Sequence, residues 1–456
     1  MTAVARHAPE HRVPGSQRLI ARSVLGKQLS GLIMLAVLLG GGGVAYALNN
    51  LLVQLAALTI LAFNRESFFR FWVEAPFVLR TLVGASHLLP LIQLVPLPFD
   101  TTTALPGRMH LQETMQALGK EGAFPLSLAP HRTLVAASAL IIPLTILTLG
   151  WSLERRDIRA LMLAAIAAGL IHTAIGFSQV LSGANARLFY PENPMPGVLF
   201  GTFANRNSAG LLCVAALCLT AIPHWRGQSR LFLIGTFSAI ALLFLAAFLT
   251  QSRTAIVLAF VPLGLAAFRI FTDHMASKKR LRMLPMLGII AIGIAMIAGT
   301  AAIFSSSARV ETVIERFEKG GGARTYLWED AFYSAEQYWP TGAGMGAFDE
   351  VFQANEALEN ITVKKAGRAH NDYLELAIEG GIIGIIILIG WFAYIAWSTL
   401  IVRHSADRWS AWAGTGVLAV IAAQSVTDYP LRNMAMLGVG ALALLLLARF
   451  SRERAT

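Results

Sequence analysis

Charged residues are scarce in this sequence. Only 14% of its 456 residues are Asp, Glu, Lys or Arg, whereas 55% are hydrophobic, and the mean hydropathy is +0.60. Soluble proteins carry about 25% charged residues. The scarcity of charge therefore excludes an ordinary soluble protein and predicts an integral membrane protein.

Cysteine is equally scarce. The only two cysteines, Cys213 and Cys218, lie in one apolar stretch. Their spacing suits neither a disulfide nor a metal motif, so both are interpreted as small apolar residues. The histidines are scattered and form no metal-ligand spacing. We therefore expect neither a metal nor a cofactor.

Long apolar runs, in contrast, are abundant. A helix needs about 20 apolar residues to cross a bilayer, and helices satisfy the backbone over runs of this length. The candidate spans are residues 29–47, 49–63, 76–96, 133–151, 160–182, 207–224, 230–249, 254–271, 284–304, 377–398, 409–427 and 433–449. They predict an all-α polytopic membrane protein with about 12 transmembrane helices. The loop 64–75 is a candidate interfacial helix.

The basic residues divide the loops into two groups. Lys and Arg recur in every second loop, which assigns those loops and both termini to the cytoplasm. Topology also explains the net charge of +11, so we expect no nucleic-acid partner. The predicted organisation is a cytoplasmic segment 1–28, helices one to nine over 29–304, a large periplasmic loop 305–376, helices ten to twelve over 377–449, and a cytoplasmic tail 450–456.

Five arginines break this pattern because they lie at outward membrane edges. They are Arg206, Arg253, Arg324, Arg368 and Arg432. Each has an ordinary explanation as a snorkelling, capping or surface residue. Together, however, several guanidinium groups on one face suit a phosphorylated anion, because the planar fork binds phosphate oxygens in pairs and stays ionised.

The stretch GRAHNDYLELAIEGGIIG, residues 367–384, places polar groups against an apolar helix. His370 is the one imidazole in this setting, and imidazole is the natural general base near neutral pH. A hydrogen-bonded structural histidine is the alternative. Asp372 and Glu375 are competing bases or orienting partners. The glycines of the stretch are interpreted as small residues that allow close helix packing.

Five segments, in their order along the chain, resemble the O-antigen ligase and polysaccharide polymerase superfamily: GTFANRN, SRTA, RTYLWEDAF, PTGAGMGAF and HNDYLELAIEGGIIG. In O-antigen ligases, a His and an Asn, Ser or Gln are followed by nine residues, Gly, two residues, and Gly, Thr or Tyr. Here His370 and Asn371 are followed by nine residues to Gly381 and then by Gly384. The segments LIQLVPLPF, PLSLAPHRT and TDYPLR are similar to the branch that contains exopolysaccharide polymerases.

The resemblance implies a metal-independent, inverting glycosyltransferase of the bacterial inner membrane, with its active site facing the periplasm. It would transfer a glycan from undecaprenyl diphosphate to an acceptor hydroxyl. His370 corresponds to the catalytic histidine of the family. The arginines expected to bind the donor diphosphate are Arg206, Arg253, Arg324 and Arg368. The residues expected to support the site or contact the acceptor are Asn205, Asn207, Asn371, Asp372 and Glu375.

The acceptor stays open at this point. A ligase would use the lipid A core, a polymerase would use another lipid-linked glycan, and a protein O-glycosylation ligase is a third branch. Membrane lipids and polysaccharide assembly proteins are further partners to consider. A secondary transporter of a small anion such as bicarbonate is the alternative from another class. The lack of an inverted repeat and the clustering of polar residues at one face disfavour it.

Overall fold

The computed structural model describes residues 15–119, 122–182, 189–190, 195–223, 225, 229–276, 322–361 and 365–452. Helices dominate these residues. The α-helices are α1 Gly15–Leu39, α2 Ala47–Phe63, α3 Arg65–Glu74, α4 Phe77–Gln93, α5 Phe99–Thr103, α6 Met109–Ala117, α7 Pro130–Ala139, α8 Ile141–Gly150, α9 Arg155–Leu181, α10 Arg206–Ala221, α11 Arg230–Leu249, α12 Arg253–Leu258, α13 Phe260–Ala276, α14 Gly322–Tyr338, α15 Phe348–Asn355, α16 Asp372–Val402, α17 Arg408–Ser425 and α18 Met434–Arg452. Three short 3-10 helices are η1 Gly40–Gly42, η2 Leu358–Asn360 and η3 Pro430–Arg432.

Seven helical segments of the described chain are long and apolar enough to cross a membrane. They are Val24–Gly42, Pro130–Gly150, Arg155–Leu181, Arg230–Leu249, Arg253–Met275, Asp372–Val402 and Met434–Ser451. The pair α2 and α3 is bent by 79° and adds an eighth if it counts as one span. The chain is therefore a multi-pass, all-α membrane protein, as predicted, while the count of twelve stays a prediction.

The predicted spans coincide with described helices, apart from the ninth. That span, residues 284–304, lies outside the described residues, as does the beginning of the predicted periplasmic loop, 305–321. α3 is a helix in the loop 64–75, and α1 begins at Gly15, earlier than hydropathy predicts. The tenth span begins at Asp372 instead of residue 377, because a polar cap sets a helix start more sharply than hydropathy does.

The helix ends form two groups. At one end, Arg155 pairs with Asp407 at 3.0 Å and Arg408 lies 3.9 Å from Asp273. The ends of α9, α13, α16 and α17 that were predicted to be cytoplasmic therefore lie together. At the opposite end, called the outer end below, α10, α12, α16 and α18 begin and α17 ends.

Helices α10 and α18 form the centre of the bundle. Every residue of α10 from Ser208 to Ala221 is buried, including both cysteines, which are free thiols as expected. α18 packs against α1, α8, α16 and α17. Its contact with α17 is close, since a Cβ on Gly414 would lie 2.4 Å from the backbone oxygen of Ala443. Small residues let these helices approach one another.

A layer of short elements covers the outer end. It contains a two-stranded antiparallel ribbon, in which β1 Pro96–Leu97 pairs with β2 Phe124–Pro125. Within the described ranges, this ribbon is the only β-sheet, so the fold is all-α apart from it. A second apolar core lies in the same layer, around Phe348, Phe352 and Leu374. The layer is therefore packed against the start of α16.

The Pro/Gly-rich turn at residues 340–346 docks into a break in α16. At Gly381 the backbone has φ 55° and ψ −148°, which interrupts the helix. The amide of Ile382 donates to the Pro340 carbonyl at 2.9 Å. A Cβ on Gly381 would lie 2.1 Å from that carbonyl oxygen. The interpretation of Gly381 as a helix-packing residue was therefore wrong, because the position needs glycine for its positive φ and for the close approach of the turn.

Candidate active site

His370 lies on the segment that enters α16 at the outer end. Its backbone is left-handed, with φ 52°. This conformation is rare for a residue with a side chain and is concentrated at functional sites. The next residue, Asn371, is the N-cap of α16, and its side-chain oxygen accepts hydrogen bonds from the amides of Tyr373 and Leu374 at 3.0 and 3.1 Å. The cap fixes the start of α16 directly beside the imidazole.

A buried carboxylate holds the His370 ring. The Oδ1 atom of Asp428 lies 3.0 Å from Nδ1 of His370, and Asp428 is fully buried. Because a carboxylate only accepts, this contact places the proton on Nδ1 and leaves a lone pair on Nε2. The imidazole side chain is 35% exposed. The pair has the geometry of an oriented general base.

Two neighbours complete the surroundings of Asp428. The side-chain amide of Asn205 donates to its Oδ2 at 3.0 Å. The ring of Tyr429 lies 5.0 Å from the His370 ring, centroid to centroid. Burial, with the Asp428 carboxylate adding to it, raises the pKa of Tyr429 to about 12. Tyr429 therefore stays neutral and contributes a polar but uncharged wall to the site.

The residue before His370 is fastened from two sides. The indole N–H of Trp328, on α14, donates to the carbonyl of Ala369 at 2.9 Å. The amide of Ala369 donates to Oε1 of Glu375, on α16, at 3.0 Å. Two helices thus hold the backbone that carries the imidazole. Such support is what keeps a left-handed residue in place.

Arg206 begins α10 beside the His370 and Asp428 pair. Asn205 is the N-cap of α10, and its Oδ1 accepts from the amide of Asn207 at 2.8 Å. The Nη1 atom of Arg206 is buried and has no hydrogen-bond partner within the described structure. A buried charged donor without a partner is costly, and the start of a helix attracts anions. This nitrogen is therefore an open position for an anionic group.

Arg253 begins α12 close to the same place. Ser252 is the N-cap of this helix. The hydroxyl of Thr254, one residue further on, lies 3.1 Å from the hydroxyl of Thr427. Since Thr427 precedes Asp428, the starts of α10 and α12 both contact the short segment that holds His370. The structure thus brings together three of the predicted site positions, at residues 206, 253 and 370.

The other two described outward guanidinium groups lie in a buried ion-pair cluster on α16. Arg432 Nη1 is 2.8 Å from Glu379 Oε2, and Arg432 Nη2 is 3.1 Å from Glu375 Oε2. Arg432 Nε is 3.5 Å from Asp372 Oδ1. Arg368 donates to the same Oε2 of Glu375 at 3.1 Å. Asp372 and Glu375, which the sequence left as rival bases or orienting partners, are therefore ion-pair partners of arginines.

The carboxylates of this cluster offset the burial of Arg432. Burial alone would lower the pKa of Arg432, but the carboxylates of Glu379, Glu375 and Asp372 raise it above its ordinary value. Breaking a buried pair by removing one partner costs far more than the pair itself contributes. The ion pairs of this cluster therefore hold the segment 368–372 rigidly against α16. The diphosphate role of Arg368 stays a prediction.

Some predicted site residues cannot be placed in this geometry. Arg324 lies on α14, but its side chain is outside the part that the structure describes. Asn207 lies in the first turn of α10, and its predicted supporting role stays a prediction. Within the described ranges there is no group of three or more His, Cys, Asp or Glu residues that could hold a metal ion.

Comparison with known sequences bears on the same region. Residues 237–389 match the family described as O-antigen ligase. This segment is similar to O-antigen ligases. It includes His370 and Arg253, whereas Arg206 and Asp428 lie outside the matched residues. No curated protein matches the chain. The resemblance inferred from the motifs is confirmed over this segment, and the family implies a lipid-linked glycan donor and an acceptor.

Two members of the site were missed from the sequence. Asp428 was noticed only within the TDYPLR segment, and Glu379 was not singled out. A signal for Glu379 was available, because it lies within the candidate membrane span Asp372–Val402, and a carboxylate within a membrane-spanning helix is costly unless it is paired. Asp428 carries a weaker signal, since its partner His370 is 58 positions away along the chain.

Proposed function

We propose that this protein is a glycosyltransferase that moves a glycan from a polyprenyl diphosphate, expected to be undecaprenyl diphosphate, to an acceptor hydroxyl at the outer face of the bacterial inner membrane. The observation that carries the proposal is the His370 and Asp428 pair, because the carboxylate that orients the imidazole also accepts from Asn205, and the next residue, Arg206, has a guanidinium nitrogen without a partner in the described structure. The O-antigen ligase match of residues 237–389 supports this class of reaction.

In the proposed reaction, Nε2 of His370 takes the proton of the acceptor hydroxyl while its oxygen attacks the anomeric carbon. The new carbon–oxygen bond forms on one face of the sugar, and the bond to the phosphate oxygen breaks on the opposite face. The lipid diphosphate leaves with the bonding electron pair. One direct displacement inverts the anomeric configuration, so no covalent glycosyl-enzyme is formed. Asp428 stabilises the imidazolium that results.

The arginines act on the leaving group. Negative charge grows on the phosphate oxygen as the glycosidic bond breaks, and fixed cationic donors stabilise that charge. In a water-poor site, each well-placed donor contributes roughly 2–4 kcal/mol to the transition state. Arg206 and Arg253 are the best candidates, because both begin helices that contact the Thr427 and Asp428 segment. On this proposal, no step requires a metal ion.

A transfer assay with a matched pair of variants tests the proposal. The purified protein in nanodiscs is given a defined polyprenyl-diphosphate glycan and either a lipid A core or a second lipid-linked glycan. Arg206→Ala should lower kcat by roughly 10²–10³. Arg230→Ala is the control, because Arg230 also begins a helix but is exposed at the other end of the bundle. Absence of transfer to both acceptors by the wild-type protein would refute the proposal.

The acceptor that supports turnover assigns the branch. Product on the lipid A core means a ligase, and longer lipid-linked glycans mean a polymerase of O-antigen or exopolysaccharide. The same reaction chemistry serves both outcomes. In both branches His370 has the same role as the general base. The assay therefore identifies the acceptor, and either outcome is compatible with that role.

A further inference from the structure

A narrow cavity runs between α4, α7, α8, α16, α17 and α18, with a volume of about 570 Å³. One face of α16 lines it from Asp372 to Ile395, which is about 35 Å of helix at 1.5 Å per residue. A cavity of this volume and this length is a narrow slot and not a globular pocket. Most of its wall is apolar, as at Leu388, Phe392 and Leu444. The slot therefore has the shape and the chemistry to hold a hydrocarbon chain.

Charged side chains line only the outer end of the slot. They are Arg132, Asp349, Arg368, Asp372 and Arg432. Each of the three arginines is neutralised by a carboxylate, with contacts of 2.7 Å to Glu350, 3.1 Å to Glu375 and 2.8 Å to Glu379 in that order. The end of the slot therefore has no excess of positive charge. It is unfavourable for a diphosphate, whereas paired charges suit the hydroxyl groups of a sugar.

A second polar group points to the same kind of ligand. Asn50 lines the slot and is 8% exposed, and its Oδ1 atom has no hydrogen-bond partner in the described structure. Its Nδ2 atom already donates to the carbonyl of Gly43 at 2.7 Å. The remaining oxygen can only accept a hydrogen bond. A hydroxyl satisfies it, but a phosphate oxygen would be repelled.

The slot is separate from the arginines assigned to the donor. Neither Arg206 nor Arg253 lines it. The end of α17 stands between them, because Ser425 faces the slot while Thr427 contacts α12. The slot nevertheless ends at Arg368, two residues before His370. Its outer end therefore lies beside the segment that carries His370, although His370 is not among its lining residues.

We propose that this slot binds the hydrocarbon chain of a neutral glycolipid, with its hydroxyl-bearing head at the neutralised outer end. The ligand class is a neutral sugar headgroup on a long chain. This binding does not depend on which acceptor the proposed transfer uses. The donor diphosphate stays on the other side, with Arg206 and Arg253.

Photolabelling of the full-length protein in nanodiscs tests the binding without requiring turnover. Three probes carry a diazirine in the middle of the chain: a single-chain alkyl glucoside, a phosphatidylglycerol and a polyprenyl diphosphate. The glucoside should label the α16 face that contains Leu388 and Phe392. The phosphatidylglycerol and the polyprenyl diphosphate should label that face at least about tenfold less, the equivalent of a 1.4 kcal/mol preference.

Blocking variants make the assignment specific. Gly440→Phe and Ala139→Phe place a ring in the slot from two different walls, so the result does not depend on the folding of one variant. Each should reduce glucoside labelling about tenfold or more. Gly235→Phe is the matched control, because a side chain at Gly235 on α11 would meet no atom within 4 Å. It should label like the wild type.

The outcomes separate this inference from the proposed function. Equal labelling by phosphatidylglycerol would mean that bulk lipid fills the slot, and preferential labelling by the polyprenyl diphosphate would mean that the chain of a polyprenyl-linked substrate does. Either result overturns the inference while glycan transfer by the wild-type protein is unaffected. Conversely, slot labelling by the glucoside together with absence of transfer would overturn the proposed function and leave the binding site standing.

Discussion

Replacing Asp428 with Asn removes one charge from the site at almost no change in volume. The carboxylate is fully buried and accepts two hydrogen bonds, at 3.0 Å from His370 Nδ1 and at 3.0 Å from Asn205 Nδ2. An amide offers one oxygen and one NH₂ group, so it can accept from only one of these two donors. If the NH₂ group faces Nδ1, the imidazole proton moves to Nε2, where the lone pair is needed.

The size of the effect follows from these two losses. A hydrogen bond to a charged group contributes about 1.5–3 kcal/mol. Loss of the correct tautomer removes most of the general-base contribution, which is roughly 10²–10⁴ in rate. Asp428→Asn should therefore lower kcat by roughly 10²–10⁴. KM for the lipid donor should change less than kcat, because the hydrogen bonds of Asp428 go to His370 and Asn205.

The assay is single-turnover transfer by purified protein in nanodiscs with saturating donor and acceptor. Protein quantity and size-exclusion profile are measured in parallel, so that a folding defect is recognised. Asp273→Asn is the control, because Asp273 is also a carboxylate near an arginine but lies at the other end of the bundle. A kcat for Asp428→Asn within about threefold of the wild type would refute the assignment of His370 as an oriented base.

The remaining predictions concern the ion-pair cluster and the helix break that support the site. Arg432→Met should destabilise the protein by roughly 3–5 kcal/mol, because it leaves buried carboxylates on α16 without their counter-ion. A thermal melt in detergent measures this loss. Arg403→Met is the control, because Arg403 is exposed, and this variant should melt like the wild type. Gly381→Ala should cost roughly 1–3 kcal/mol in strain and reduce transfer, because its Cβ would lie 2.1 Å from the Pro340 oxygen. An unchanged melting temperature in either variant would contradict the packing described here.

The sequence predicted those parts of the fold that depend on local patterns. Apolar runs marked the spans because a bilayer needs about 20 apolar residues, and His370 was singled out because polar groups are costly against an apolar helix. The start of α16 was placed late because hydropathy does not register a cap such as Asn371. Gly381 was misinterpreted because its positive φ follows from a turn that lies about forty positions earlier in the chain.

Pairings between distant segments could not be predicted from the sequence. Arg432 looked like one of several outward arginines, yet it is bound to three carboxylates on α16. Arg206 gave the same local signal, but its Nη1 is unpartnered in the described structure. Whether an arginine is compensated or open depends on which helix packs beside it. The charge of a residue therefore does not tell whether it forms a buried structural ion pair or binds a ligand.

The central claim is that His370 removes the proton of the acceptor hydroxyl, and His370→Gly tests it most directly. Glycine suits the left-handed backbone at this position, so the fold should persist and leave space for an added base. Single-turnover transfer should fall by roughly 10²–10⁴ and recover in part as imidazole is titrated in. Transfer by His370→Gly at the wild-type rate without imidazole would contradict the claim.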